Sequence, residues 1–224
     1  MLNTSLFSKG QTVKDLIKIK ICGITRKEDA LLAAELGAWA VGFIFVKNTP
    51  RYISPEKVAE IIKELPQNLI KIGVFADESI EEIKSIAIQT GITKIQLHGE
   101  ESPDFCENLA KLTGKEIIKA IKVKSDEDLQ LITQYKDKVS FVLLDSYCEN
   151  QLGGTGKTFD WEIAKKAKEY GIPIILAGGL NPDNIKQAYE AVKPYAFDIS
   201  SGVEISKGVK DNEKLRKLFT LNLQ

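Results

Sequence analysis

The chain alternates short apolar runs with longer amphipathic ones, and this pairing occurs eight times along its length. The short runs are rich in Ile, Val and Phe, and some are apolar throughout. Strands of a parallel sheet that are buried on both faces have this composition. The eight runs predicted to be strands are 17–22, 40–45, 70–75, 94–98, 117–123, 140–145, 172–178 and 196–201.

The longer runs carry the start and stop signals of α-helices. The Ser-Pro pair at 54–55 predicts a helix N-cap followed by a first-turn proline, and Asn181 with Pro182 predicts a second start of this kind. Two other runs end at Gly91 and Gly171, and glycine often closes a helix because it tolerates the left-handed conformation. We therefore expect a helix after each strand.

Eight β-α units within 224 residues predict an α/β fold of one architecture, a parallel eight-stranded (β/α)8 TIM barrel. A doubly wound open sheet is the structural alternative, and the count of eight favours the barrel. No segment has the composition of a linker. We therefore predict a single catalytic domain over residues 18–224, preceded by an N-terminal extension of residues 1–17.

The composition narrows the function classes. The 31 basic and 31 acidic side chains cancel, which leaves no electrostatic footprint for nucleic acid or for a membrane surface. Three cysteines without CxxC spacing predict neither a disulfide framework nor a zinc site, and they fit a reducing compartment. No run approaches the roughly 18 apolar residues of a membrane span, and no signal peptide is evident. We expect a cytoplasmic protein that acts on a small molecule.

A glycine-rich stretch, LGGTGKTFDW at 152–161, has the look of a phosphate-binding P-loop. Counting back from the Gly-Lys-Thr at 156–158, however, places Gln151 where the motif requires its first glycine. The stretch also fails to run directly from a strand into a helix. We therefore expect a lid over an active site rather than a nucleotide cradle, with Gly154 among the residues that meet the substrate.

Polar residues cluster at the predicted carboxyl ends of the strands. In (β/α)8 barrels the catalytic groups lie at this end, in the loops between each strand and the next helix. We therefore expect these side chains to converge on one face of the molecule. They are Cys22, Arg51, His98, Asp145, Gly178, Gly179, Asp198, Ser200, Ser201 and Gly202.

Six segments resemble the phosphoribosylanthranilate isomerase family, in the family's order, between residue 18 and about residue 214. They are KICGITR, GFIFVKNTPR, IQLHG, LLDSYCENQLGGTGKTFDW, LAGGLNPDNI and FDISSGVEISKGVKD. The resemblance implies a barrel enzyme of tryptophan biosynthesis, an aldose–ketose isomerase that needs no cofactor and no metal. Its reaction would be the Amadori rearrangement of N-(5-phosphoribosyl)anthranilate to 1-(2-carboxyphenylamino)-1-deoxyribulose 5-phosphate.

The resemblance also implies an acid and a base. Asp145 would protonate the furanose ring oxygen and open the ring, and Cys22 would remove the C2 proton. A basic Cys22 has to be a thiolate, so nearby cations or helix N-termini are expected to lower its pKa. A proton-donating Asp145 has to hold its proton at neutral pH, which an apolar or anionic setting favours.

Binding roles follow for the remaining residues. The planar fork of Arg51 suits the anthranilate carboxylate. The loops after strands seven and eight suit the phosphate, through backbone amides at a helix N-terminus. His98 would line the pocket, and Asp198 would bind ribose hydroxyls or orient its neighbours. The expected phosphate-binding residues are Gly178, Gly179, Ser200, Ser201 and Gly202.

Three alternatives remain at this point. The related histidine-pathway aminoaldose isomerase performs the same rearrangement, but that family generally carries an aspartate where this chain has Cys22. A nucleotide-binding switch protein would need a complete P-loop, and Gln151 stands where that motif requires its first glycine. A catalytically silent sugar-phosphate binder would not need both Cys22 and Asp145. The sequence leaves the oligomeric state open between monomer and homodimer.

Overall fold

The structure is a computed structural model that describes residues 17–146 and 161–220. Nearly all of the expected N-terminal extension lies outside this part of the chain, and so does the glycine-rich stretch up to residue 160. The division into an extension and one catalytic domain therefore stays a prediction. Among the described residues, no helix is long and apolar enough to cross a membrane.

Eight parallel strands close into a barrel in which each strand pairs with its sequence neighbours and β8 pairs with β1. The predicted (β/α)8 fold is thus confirmed, and the open-sheet alternative is wrong. The strands are β1 Lys18–Cys22, β2 Ala40–Ile44, β3 Ile70–Phe75, β4 Lys94–Leu97, β5 Glu116–Val123, β6 Phe141–Ser146, β7 Ile174–Leu176 and β8 Ala196–Ile199.

Helices cover the outside of the barrel. They are α1 Lys27–Glu35, α2 Pro55–Glu64, α3 Ile80–Thr90, α4 Pro103–Thr113, α5 Leu131–Tyr135, α6 Trp161–Ala167, α7 Ile185–Val192 and α8 Asn212–Thr220. Among the connections that lie within residues 17–146 and 161–220, two depart from a simple strand-to-helix step. A 3-10 helix, Asp126–Gln130, precedes the short α5, and a two-stranded hairpin of β9 Glu204–Ser206 and β10 Val209–Lys210 precedes α8.

The strand pattern explains why the barrel closes around a core. Successive side chains of a strand point to opposite faces, so one set faces the helices and the other fills the barrel. On β6, Val142 and Leu144 belong to the layer under the helices, whereas Phe141 and Leu143 belong to the inner core. Both layers are apolar at this strand, which is why residues 141–144 of β6 are apolar throughout.

Helix starts follow the predicted chemistry at one site and not at the other. The Ser54 hydroxyl accepts a hydrogen bond from the first turn of α2, whose first residue is Pro55, as predicted. The predicted start at Asn181 is wrong, because α7 begins at Ile185 with Asn184 as its N-cap. The reason is local: the Asn181 side chain accepts from the Asp183 amide at 2.8 Å, which holds the intervening residues in a turn.

Candidate active site

A cavity of about 380 Å³ opens at the carboxyl end of the barrel. The structure brings together there nine of the residues singled out in the sequence: Cys22, Arg51, His98, Asp145, Gly178, Gly179, Asp198, Ser200 and Ser201. Gly202 does not line the cavity, and Gly154 lies outside the described residues. Ile44, Val74, Gln96 and Ala177 complete the lining.

Cys22 ends β1 with only 6% of its surface exposed. Burial raises the pKa of its thiol, Asp198 acts in the same direction, and the ammonium groups of Lys20 and Lys210 lower it without offsetting the rise. The expectation of a lowered thiol pKa is therefore wrong. The cations that it called for are present, but removing a thiolate from water outweighs them.

A glycine on the neighbouring strand makes room for this thiol. A Cβ atom on Gly42 would lie 2.9 Å from the Cys22 sulfur and 3.0 Å from the Lys20 Cε atom. Real Cβ atoms essentially never lie within 3.0 Å of another heavy atom, so the contact with the Cys22 sulfur would force a shift. Gly42 of β2 therefore lets the side chains of β1 fill the inside of the barrel.

Asp145 lies near the end of β6, beside the chain's single histidine. The Asp145 Oδ2 atom is 3.2 Å from His98 Nε2, and the two side chains are 34% and 28% exposed. The side chain that contacts Asp145 in the described part of the chain is the His98 imidazole. The apolar or anionic setting expected for Asp145 stays a prediction.

An ion pair lies inside the barrel beneath the cavity. Lys20 Nζ donates to Asp198 Oδ2 at 2.8 Å and to Gln96 Oε1 at 2.7 Å, and Lys20 is fully buried. Burial alone would lower the pKa of Lys20, but Asp198 and Cys22 together raise it above its ordinary value. The site floor therefore keeps a permanent positive charge next to the thiol.

A second cluster holds Arg51 at the rim. Its Nε and Nη2 atoms donate to the two carboxylate oxygens of Glu204 at 2.8 and 2.7 Å. Lys210 Nζ donates to Glu204 at 2.9 Å and to the Cys22 carbonyl at 2.6 Å. Burial alone would raise the pKa of Glu204, but Arg51 and Lys210 bring it down to about 2. The fork of Arg51 is thus already fixed by a carboxylate of the β9–β10 hairpin.

The loops after β7 and β8 form a further part of the rim. Gly178 and Gly179 have φ of +87° and +65°, and residues other than glycine rarely adopt such backbone angles. A Cβ atom on Gly202 would lie 1.9 Å from the Leu180 carbonyl oxygen, so this glycine packs the β8 loop against the β7 loop. Gly202 therefore supports the rim rather than lining the cavity.

Two polar atoms at this cavity are buried without a hydrogen-bond partner among the described residues. They are the Oδ1 atom of Asp198 and the hydroxyl of Ser200. A buried polar atom without a hydrogen-bond partner lowers the stability of the folded protein. The two unpartnered atoms at this cavity therefore point to hydrogen-bonding groups that a ligand supplies. The Asp198 oxygen accepts a hydrogen bond, whereas the Ser200 hydroxyl can donate one.

Residues 19–220 match the family model for N-(5'-phosphoribosyl)anthranilate (PRA) isomerase. The chain belongs to this family. A Geobacter sp. (strain M21) isomerase is 49% identical over 202 residues, which cover 90% of this chain and 96% of the relative. The isomerase of Nostoc punctiforme is 47% identical over 204 residues, covering 91% and 97%.

Solved structures of phosphoribosylanthranilate isomerases have the same fold. One from Thermotoga maritima superposes with a TM-score of 0.84 at 39% identity, covering 91% of this chain and 97% of the other. An isomerase complexed with reduced 1-(o-carboxyphenylamino)-1-deoxyribulose 5-phosphate superposes with a TM-score of 0.82 at 37% identity, covering 91% and 97%. These comparisons do not favour the histidine-pathway or nucleotide-binding alternatives.

Sequence reasoning missed four charged or polar residues of this isomerase site: Lys20, Gln96, Glu204 and Lys210. Two of them carried a usable signal. Lys20 precedes Cys22 by two positions on β1, Gln96 of β4 precedes His98, directly after that strand, by two positions, and alternate residues of extended chain share a face. No such periodicity marks the other two, because they lie in a hairpin that interrupts the strand–helix pattern.

Proposed function

We propose that this chain catalyses the Amadori rearrangement of N-(5-phosphoribosyl)anthranilate, an aldose–ketose isomerisation, at the cavity described above. Protonation of the ring oxygen opens the furanose to a protonated imine. Loss of the C2 proton then gives an enolamine, which tautomerises to the aminoketone. The observation that carries this proposal is the convergence of Cys22 and Asp145 on one cavity from different strands of the barrel.

Cys22 is the proposed base that takes the C2 proton. Lys20 and Lys210 stabilise its thiolate, while burial and Asp198 favour the thiol. A thiolate whose pKa is raised is a stronger base once it forms, although it forms in a smaller fraction of molecules. The rate of proton removal is therefore expected to rise with pH through the titration of Cys22.

Asp145 is the proposed acid that protonates the ring oxygen. Its carboxyl lies at the cavity wall and contacts His98 through one oxygen only, Oδ2. The other oxygen is thus the one that can present a proton to the substrate. His98 lines the cavity and supports Asp145 in this proposal.

The cavity rim is the proposed binding site for the ends of the substrate. Glu204 uses Nε and Nη2 of Arg51, so the anthranilate carboxylate would meet the guanidinium from its Nη1 side. The phosphate would be held by the β7 and β8 loops, through amides of Gly178 and Gly179 and through the unpaired Ser200 hydroxyl. The unpaired oxygen of Asp198 suits a ribose hydroxyl.

The test is steady-state kinetics of Cys22→Ser and Asp145→Asn. Loss of a general acid or base typically costs roughly 10²–10⁴ in rate, so we expect kcat to fall by that much while KM changes little. Cys106→Ser, a thiol of α4 away from the cavity, and Asp183→Asn, an exposed carboxylate, are the matched controls. Wild-type turnover in either site variant would remove that residue from its role.

The setting of this enzyme is also proposed. A cytoplasmic location fits a biosynthetic isomerase, and a small phosphorylated sugar is its expected partner, without nucleic acid or membrane. The isomerase of Thermotoga maritima has been described as dimeric. For this chain we propose a monomer or a homodimer, which sedimentation of the purified protein distinguishes.

A further inference from the structure

A line of hydrogen-bonded side chains crosses the barrel from β1 to β6. Lys20 Nζ lies 2.7 Å from Gln96 Oε1, Gln96 Nε2 lies 3.0 Å from His98 Nδ1, and His98 Nε2 lies 3.2 Å from Asp145 Oδ2. The line therefore connects the cation beside the proposed base with the proposed acid. Gln96 is its middle member and is 1% exposed.

The direction of each hydrogen bond in this line is set by Lys20. An ammonium group has only hydrogens to offer, so Gln96 must turn its carbonyl oxygen toward Lys20. The Gln96 NH2 group then faces His98, and an amide NH2 can only donate. His98 Nδ1 is therefore an acceptor, and the imidazole carries its hydrogen on Nε2.

The Nε2 hydrogen of His98 is donated in turn to Asp145 Oδ2. The carbonyl oxygen of a carboxyl group is a better acceptor than its hydroxyl oxygen, so a protonated Asp145 keeps Oδ2 as the carbonyl oxygen and carries its proton on Oδ1. We propose that Gln96 is a positioning residue of the isomerase reaction, which fixes the tautomer of His98 and thereby the oxygen of Asp145 that delivers the proton. Tautomer errors of this kind in other enzymes cost orders of magnitude in rate with little change in geometry.

The substitution Gln96→Glu reverses one bond of the line and keeps the rest. The new carboxylate has the same shape and still accepts from Lys20, but its second oxygen can only accept from His98. The imidazole is then required to carry a hydrogen on Nδ1. Gln89→Glu makes the same chemical change on the exposed face of α3 and serves as the matched control.

The readout is the nitrogen-15 NMR spectrum of histidine-labelled, untagged protein. His98 is the chain's single histidine, so its two ring nitrogens appear without overlap. We expect wild type and Gln89→Glu to show an unprotonated Nδ1 and a protonated Nε2. Gln96→Glu is expected to show a protonated Nδ1. The proposal is overturned if the neutral His98 imidazole of the wild type carries its hydrogen on Nδ1, or if Gln96→Glu leaves the tautomer of His98 unchanged.

Kinetics supply the second readout, which rests on the proposed function, whereas the NMR readout does not. We expect Gln96→Glu to lower kcat roughly 10- to 100-fold with KM within about threefold of wild type. Gln89→Glu should retain wild-type values. A changed tautomer with an unchanged kcat would show that the oxygen of Asp145 is not selected in this way. An inactive wild type with the expected tautomer would refute the proposed function alone.

Discussion

At the scale of single residues, the site balances burial against charge around Cys22. The thiol is almost wholly buried, and two ammonium groups lie close enough to lower its pKa, yet the pKa is raised. Sequence position placed this cysteine at the end of β1, since a strand end can be read from periodicity. Its ionisation could not be predicted, because the burial of the thiol depends on the closed barrel, and Asp198 and Lys210 come from β8 and the β9–β10 hairpin, far away in the chain.

Alkylation of Cys22 reports this balance. The thiolate attacks iodoacetamide and displaces iodide, so the alkylation rate is expected to rise with pH and to reach half its limit above the pH at which a free cysteine does. Lys20→Met removes a cation that lowers the thiol pKa and leaves Asp198, which raises it, without its ion pair. We therefore expect the midpoint to move further toward alkaline pH.

Peptide mapping by mass spectrometry assigns the alkylation to Cys22 rather than to Cys106, whose burial raises its pKa to about 11. The midpoint of the pH profile is compared, rather than the absolute rate, because access to the cavity scales the rate at every pH. A wild-type midpoint below that of a free cysteine would contradict the structure. A shift toward acid in Lys20→Met would contradict it as well.

At the scale of elements, the β9–β10 hairpin attaches the last strand–helix unit to the barrel rim. Glu204 of β9 receives hydrogen bonds from Arg51, which lies after β2, and from Lys210 of β10. Lys210 in turn donates to the carbonyl of Cys22 on β1. The hairpin therefore holds both the arginine proposed to bind the substrate and the end of the strand that carries the proposed base.

The pH dependence of stability tests this attachment. The pKa of Glu204 is about 2 in the folded protein and roughly 4.3 in an unfolded chain. Its ionised form is thus favoured by folding, so its contribution is complete above about pH 4.3 and is lost as the pH falls toward 2. From these two pKa values we expect a contribution of about 3 kcal/mol to the free energy of unfolding.

Denaturant unfolding of wild type and Glu204→Gln across this pH range measures it. We expect the variant to be less stable near neutral pH, and the gap in the free energy of unfolding to shrink as the pH falls from about 5 to 2. Glu213→Gln, an exposed first-turn residue of α8, is the control. If the difference in the free energy of unfolding between wild type and Glu204→Gln does not change with pH, folding does not favour the ionised form of Glu204.

At the scale of the whole molecule, the barrel could be predicted from the sequence, whereas the side chains that line its cavity could be predicted only in part. Eight apolar runs with strand periodicity determine the number of strands, and the rule for barrel active sites then places Cys22, His98 and Asp145 on one face. The spacing of Lys20 and Gln96 from Cys22 and His98 could have placed both on the inner face, but their partners across the barrel could not be predicted from the sequence. The start predicted for α7 at Asn181 was wrong, because the Asn181 side chain caps a turn rather than the helix.

The conversion itself tests the central claim most directly. N-(5-phosphoribosyl)anthranilate labelled with carbon-13 at ribosyl C2 would be incubated with purified wild type and with Cys22→Ser. We predict that the wild type converts the C2 signal from that of an alcohol carbon to that of a ketone, at a rate proportional to enzyme concentration. The variant should be slower by at least about 100-fold. A wild-type rate equal to that of the uncatalysed reaction would contradict the account.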